Sequence, residues 1–512
     1  MSHKEVIRNT MSHCDTFLSS QLFHDVQMQG LYSDSKVFAD ATARTELKTI
    51  LSQYDASNIQ SPQALQTFVE KHFQLPVIPD CKQHQVASVQ QYIETLWLTL
   101  RRQPDEHNLN SLLPLPYPYI VPGGRFQEIY YWDSYFTAVG LMQANQCEMV
   151  INMIDNFIVL LDALGKIPNG NRGYYYSRSQ PPILALLVDL VASTLPYEER
   201  LTFVKSRLNA IATEYQFWMS GSQNLSSVNH SERRCVRMPD GSILNRYWDD
   251  IATPRPESYR EDKEATEKMT ATEAESFYRN IRAACESGWD FSSRWLANPK
   301  DLHSIQTTHI VPVDLNCLLY KTEQLLADFS DLCADKSAAK AYQDSAIARR
   351  NAINHFLWDA DNGFYFDYNH VTQATTAIWS LAASATLFCS CADQQQAKSV
   401  AEHLKNQFLQ PGGLLTTLTH TEQQWDSPNG WAPLHWFAVK GCLDYGHSPL
   451  AKEIMQNWLS TVERYFEQHH CLMEKYNVEA PVAAATGGEY QVQEGFGWSN
   501  GISAAFYHML AQ

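Results

Sequence analysis

The sequence predicts an all-α fold, read as an (α/α)6 toroid of six helical hairpins whose long loops cover one end. Three observations lead there. Helical stretches come in pairs joined by short connections, and each pair is followed by a long loop. No alternating strand-rich run or βαβ cadence interrupts them. The long loops share an unusual vocabulary of aromatic, acidic and glycine residues, as if they met at one place. Helix pairs of this kind either close into a ring around a cavity or pack as an irregular bundle, and the period is too uneven for a short-repeat solenoid. A length of 512 residues accommodates several domains or one large ring.

Residues 1–75 are expected to form an N-terminal extension packed on the ring, and residues 76–512 the (α/α)6 domain itself. Residues 23–41 read as irregular. Helices follow at Ala43–Tyr54 and Pro62–His72, the second with proline at its first position, and at Val86–Leu100, where apolar residues recur at helical spacing. Five prolines before Gly123–Gly124 make 104–124 an extended loop. The paired pattern then predicts Glu128–Met142 with Glu148–Leu164, Ile183–Ala192 with Glu198–Met219, Lys263–Ala284, and Asp314–Cys333 with Ser337–Leu357. WDADNGFYFDYNH (358–370) reads as a hairpin or turn. Gln373–Phe388 with Gln394–Phe408, Trp431–Gly441 with Pro449–His470, and Ser499–Leu510 complete the chain.

The formal net charge is −17, which argues against nucleic acid and anionic membranes as partners. No eighteen-residue apolar run and no apolar signal segment occur, so no membrane span and a cytoplasmic location are expected. The eleven cysteines lack C-x-x-C spacing and read as buried free thiols. His72, His435 and His469–His470 form no metal motif, and neither glycine pair begins a phosphate loop. No metal or cofactor is expected, and a monomer is expected.

Val121–Phe136, VPGGRFQEIYYWDSYF, holds a glycine pair, an arginine, two acids and six aromatic residues. Such a mixture suits a neutral, hydroxyl-rich ligand: charged groups take hydroxyls and flat rings cover apolar sugar faces. Similar vocabulary returns at SGWDFSSRW (287–295), QWDSPNGWAP (424–433) and GEYQVQEGFGWSNG (488–501). Together the four segments point to a carbohydrate site.

Residues 122–136 and 424–433 closely resemble the two signature segments of the trehalase family, whose members hydrolyse α,α-trehalose to two glucose molecules. The likeness extends to DSKVFADA (34–41), IPNGNRGYYYSRSQPP (167–182), RPESYRED (255–262), ESGWDFSSRW (286–295), EKYNV (474–478) and GGEYQVQEGFGWSNG (487–501), and so spans about residues 20–510. It implies an (α/α)6 barrel and an inverting mechanism, and the chain resembles a cytoplasmic bacterial member. Rival readings are another (α/α)6 glycosidase, a sugar-binding protein without turnover, and a purely structural all-α protein.

Inverting acetal hydrolysis needs a proton donor and a second carboxylate that activates water. The resemblance assigns the acid to Asp290, whose neighbours Trp289, Phe291 and Trp295 would favour its neutral form; read bare, Asp290 is a turn or cap residue. It assigns the base to Glu474, which read bare is an exposed helix end, with Glu489 and then Glu494 as competitors. It further places Arg125, Arg178 and Arg255 around the sugar, paired with acids such as Asp133, Glu257 or Glu489. Phe126, Trp132, Asp133, Asn169, Gln180, Glu257, Gly288, Trp425 and Glu489 complete the expected substrate-binding set. Tyr130 and Trp425 are candidate walls, Trp431 comes from the second signature segment, Asp426 is a structural cap, and Trp358 and Phe366 are core. Loops 167–182, 255–262 and 487–500 are expected to close over one small disaccharide. The alanine-containing stretch 479–488 departs from the glycine-richer family pattern.

Overall fold

A computed structural model describes residues 3–59, 61–106, 109–481, 483–485 and 487–512. Six inner helices, Asp133–Gln143, Leu184–Ala192, Val313–Leu332, Ala385–Phe388, Ala432–Asp444 and Gly497–Ala511, each touch the next, and the last returns to the first. This closed ring is the predicted (α/α)6 toroid. The outer layer comprises Cys147–Leu164, Tyr197–Trp218, Lys336–Phe356, Gln394–His403, Ser448–His469 and, from before the ring begins, Val89–Leu100. Inner helices must be apolar on every side, and Asp133–Gln143 is buried continuously from Asp133 to Leu141. The ring closes through glycine: a Cβ on Gly140 would collide with the backbone of Gly501, so the first and last inner helices meet almost backbone to backbone.

Every long loop precedes an inner helix, so the loops gather at the N-terminal end of the ring. Helix N-termini there carry unpaired N–H groups and the positive end of the helix dipole. Ala271–Ser287 is an additional helix between the second and third hairpins, started by a capping box of Thr270 and Glu273 and stopped by Gly288 in the left-handed region, φ +77°.

Most predicted helices appear within a few residues of their expected bounds. Four expectations are corrected. Residues 23–41 are not irregular: helices run His3–Leu18, Gln21–Met28 and Lys36–Ala39. The helix expected from Ala43 begins at Leu47, because Ala43 instead pairs with Phe73 in a two-strand ladder. Lys263–Ala284 is broken before Thr270, whose side chain starts a new helix. Gln373–Phe388 is helical only near its end: Ala374–Thr375 pairs with Tyr368–Asn369, and its β-branched run suits an extended chain. The hairpin at 358–370 is present, with Phe364 opposite Asp359. Phe366 is core; Trp358 is only partly buried.

The N-terminal residues build their own apolar cluster around Phe17, Phe23, Phe38 and Phe73, which also takes in Tyr130, Tyr174 and Tyr175 of the ring loops. Below it lies a buried ionic layer in which Lys36 pairs with Asp40 and, at 2.7 Å, with Glu128, and Arg172 pairs with Glu128 at 3.1 Å. Buried cations are costly without counter-charges. Arg172, Arg178, Arg234, Arg255, Arg282, Arg294 and Arg349 each have a carboxylate within 4 Å. Arg246, the remaining buried arginine among the described residues, has none. No described helix is long and apolar enough to cross a membrane.

Candidate active site

The aromatic and charged loops enclose one pocket at the N-terminal end of the ring. Trp132 and Asp133 reach it from the start of the first inner helix, and Gln180 Oε1 accepts the Trp132 backbone N–H at 3.1 Å. Trp132 lies across Trp425 (6.0 Å between ring centroids). Trp425 stacks on Trp431 (3.9 Å, 2° between planes) and on Trp289 (5.2 Å), giving a flat indole wall. Phe126 meets Tyr130, Tyr490 and Phe496 edge-on at 5.2–5.9 Å on another side. Gly288 is required where it stands, since a Cβ there would lie 2.7 Å from the Trp132 ring.

The three expected arginines line the pocket, each fixed from behind. Arg178 donates to Asn169 Oδ1 (2.9 Å) and Glu257 Oε1 (2.6 Å). Arg255 is forked between Asp262 (2.6 Å) and Glu489 (2.9 and 3.0 Å). Arg125 departs from expectation: its fork is taken by Asp34 of the N-terminal segment (2.6 and 2.7 Å), not by Asp133. Asp34 stands nearly a hundred residues before Arg125 in the chain, and its only sequence signal is its place in DSKVFADA. Burial opposes the Glu257 anion, yet Arg178, Arg255 and Arg282 hold its carboxyl below the usual range. Arg178 Nη1 and Glu257 Oε2 remain buried without a hydrogen-bond partner, a donor and an acceptor placed side by side at the pocket.

Asp290 lines the pocket one turn beyond the helix Ala271–Ser287; its peptide bond to Phe291 is cis. Burial, assisted by the Glu489 carboxylate, raises its carboxyl to about 7. Its loop is clamped by Asp426, which accepts five hydrogen bonds from Ser292, Ser293, Thr417 and Thr421. The structural role expected for Asp426 is thus present, though it clamps the Asp290 loop rather than capping a turn.

Glu474 is fully buried, not the exposed helix end its bare sequence suggests. It lies beside a short ladder in which Lys475 pairs with Trp431 and Tyr476 with Gly430, so the second signature segment carries it to the pocket. It sits just behind the lining residues: its charge is felt by Asp133 and Tyr490, which also feel Asp290. Burial raises its carboxyl, while Lys475 Nζ at 3.4 Å opposes the rise. Both Glu474 oxygens lack a hydrogen-bond partner. Asp133 is likewise pushed well above the usual carboxylate range by burial, with Asp290 and Glu474 adding to it. Lys475 also donates to Gln424 Oε1 (2.6 Å), and Gln424 Nε2 donates to the Asp290 carbonyl (2.5 Å), so one short relay joins the two carboxyl segments.

All twelve residues expected to bind substrate line this pocket, together with Asp290. Glu494 does not; it pairs with Lys82 at 3.2 Å in an outer recess. Sequence reasoning missed Tyr175, Ser258, Cys285, Tyr490, Phe496 and Trp498 as lining residues. Tyr490 and Trp498 could have been found from their positions inside the GEYQVQEGFGW segment; Cys285 carries no such signal. Within the stretch 479–488, residues 482 and 486 lie outside the described residues.

The model of the trehalase family matches residues 30–511, nearly the whole chain and every loop that builds this pocket. The chain belongs to the trehalase family. That makes it an enzyme of the α,α-trehalase class, a glycosidase of carbohydrate metabolism. Among solved structures, neutral trehalase Nth1 from Saccharomyces cerevisiae matches at 27% identity over 76% of this chain and 73% of that one, with a TM-score of 0.62. A GH63 mannosylglycerate hydrolase from Thermus thermophilus, solved with glucose, matches at 15% identity over 82% of this chain and all of that one, with a TM-score of 0.57. At that identity the second likeness concerns the fold alone, the toroid that trehalase-family members share with it.

Proposed function

We propose that the protein hydrolyses α,α-trehalose to two glucose molecules with inversion, Asp290 serving as general acid and Glu474 as general base. The reading is carried by one contrast at the pocket: the Asp290 carboxyl, raised to about 7, has no ion-pair partner among the described residues, whereas Glu474, buried just behind the lining, has Lys475 Nζ at 3.4 Å and stands at the far end of a Gln424–Lys475 relay. Asp290 gives its proton to the glycosidic oxygen as the C1–O bond breaks. Glu474 takes a proton from water as the water oxygen bonds to C1 from the opposite face. The separation this chemistry needs, roughly 6.5–9.5 Å between carboxyl groups, leaves room for that water. Arg125, Arg178, Arg255, Asn169, Gln180, Asp133 and Glu257 hold hydroxyls, and Trp132, Trp425 and Phe126 cover ring faces. Glu489 orients Arg255 and sets the charge beside Asp290 rather than acting as base.

Residues 1–75 act as an extension packed on the 76–512 catalytic domain, a reading supported by their separate aromatic cluster and by the Asp34–Arg125 and Lys36–Glu128 pairs. All eleven cysteines are free, which favours a reducing, cytoplasmic setting. Turnover of trehalose by the wild type and three variants tests the assignment. Asp290→Asn and Glu474→Gln should each lose about 10²–10⁴-fold in kcat. Abolition by Glu489→Gln alone, with Glu474→Gln active, would move the base to Glu489.

A further inference from the structure

Among the loops that precede the third and fourth inner helices, and sharing no residue with the sugar pocket, a surface recess gathers Arg246, Trp248, Arg279, Thr308, His309 and His370. Arg246 is only 6% exposed, and its Nε and Nη1 donate to the carbonyls of Arg233 and Thr308, both at 2.7 Å. Its Nη1 also stands 3.2 Å from His370 Nε2, and no acceptor among the described residues meets Nη2. Among the described residues, it alone of the buried arginines has no carboxylate partner. Arg279 joins it: the two guanidinium carbons lie 4.7 and 4.6 Å from the Trp248 ring centre, so one indole holds both cations at the recess. Arg279 is itself anchored by donating to the Asp249 carbonyl at 2.7 Å.

The placement is unfavourable for the empty protein. Burial holds Arg246 down to about 10, with Arg279 adding to the effect, and burial with Arg246 holds His370 down to about 4. The charged groups facing the recess are Arg246 and Arg279, against Glu232 and the rim carboxylate of Glu275, while burial and Arg246 hold the His309 and His370 imidazoles towards their neutral forms. Glu275 reaches Arg279 only at 3.7 Å and is 65% exposed. Hydroxyls of Ser231, Thr272 and Ser276 line the same recess. Two guanidinium groups and several hydroxyls around one small recess match a tetrahedral oxyanion, which accepts from many directions.

We propose that this recess binds a phosphoryl-class anion, either free phosphate or the phosphate end of a small ester, with Arg246 and Arg279 as its principal ligands. Calorimetric titration of the full-length protein with inorganic phosphate and, separately, with glucose 6-phosphate tests it. One saturable site is expected. Arg279→Gln, at a partly exposed position that leaves the fold intact, should weaken binding about tenfold or more with trehalose turnover unchanged. Arg246→Met should abolish binding. Glu275→Gln, which removes the competing rim carboxylate, should tighten it, an effect that a merely structural arginine pair would not give. Tighter binding of the ester identifies an ester ligand, and equal binding identifies phosphate alone. Failure of both probes to saturate the wild type, or unchanged affinity in Arg279→Gln, would overturn the proposal.

Discussion

Asp290 and Asp426 stand in loops that hydrogen-bond to each other, with Trp425 N–H donating to the Phe291 carbonyl at 3.0 Å. Both are aspartates in a Trp–Asp pair, and burial raises both carboxyls. Five donors surround Asp426 and oppose that rise. Among the described residues no hydrogen bond from another residue reaches the Asp290 carboxyl. The difference separates a clamp from a titratable group: hydrogen bonds tie the Asp426 carboxyl into the fold, while the Asp290 carboxyl is left to hold a proton up to about pH 7, as the proposed acid must.

The largest expected effect is on the unsatisfied member. Asp290→Asn should cut kcat/KM for trehalose by about 10²–10⁴-fold while leaving the melting temperature nearly unchanged. Asp426→Ala should do the reverse in kind. It orphans several buried donors, so chemical denaturation should show a loss on the order of 3 kcal/mol, with activity falling as the Asp290 loop slackens. A variant with full stability at Asp426 would erase the contrast.

Smaller changes sharpen it. Gly288→Ala places a Cβ against Trp132 at a left-handed position and should cost about 1–2 kcal/mol, with a higher KM as the indole wall shifts. Glu489→Gln tests the electrostatics. In the proposed mechanism Asp290 acts while protonated, so kcat/KM should fall as pH rises through about 7. The Glu489 carboxylate helps to hold that proton; removing it, and leaving Arg255 less neutralised, should move the alkaline limb to lower pH. A limb that stays in place would mean Asp290 is not the group titrating.

The ring was legible because its inner helices are apolar on all sides and its loops are long. The site was legible where the aromatic and acidic residues cluster in sequence, as in 122–136 and 424–433. Other features depend on chain-distant partners. Asp34 looks like any loop acid until Arg125 turns towards it. Glu474 reads as solvent-exposed until the Trp431–Lys475 ladder buries it. The helices within 23–41 are hidden in the sequence because polar residues there, such as Lys36 with Glu128, face ion pairs and hydrogen bonds inside the protein rather than water.

The central claim is a single displacement at C1 between a proton on Asp290 and a water activated by Glu474. Proton NMR of the first turnovers of α,α-trehalose, recorded before mutarotation, tests it most directly. The account predicts one β-glucose and one α-glucose from each trehalose; two α-glucoses would contradict it.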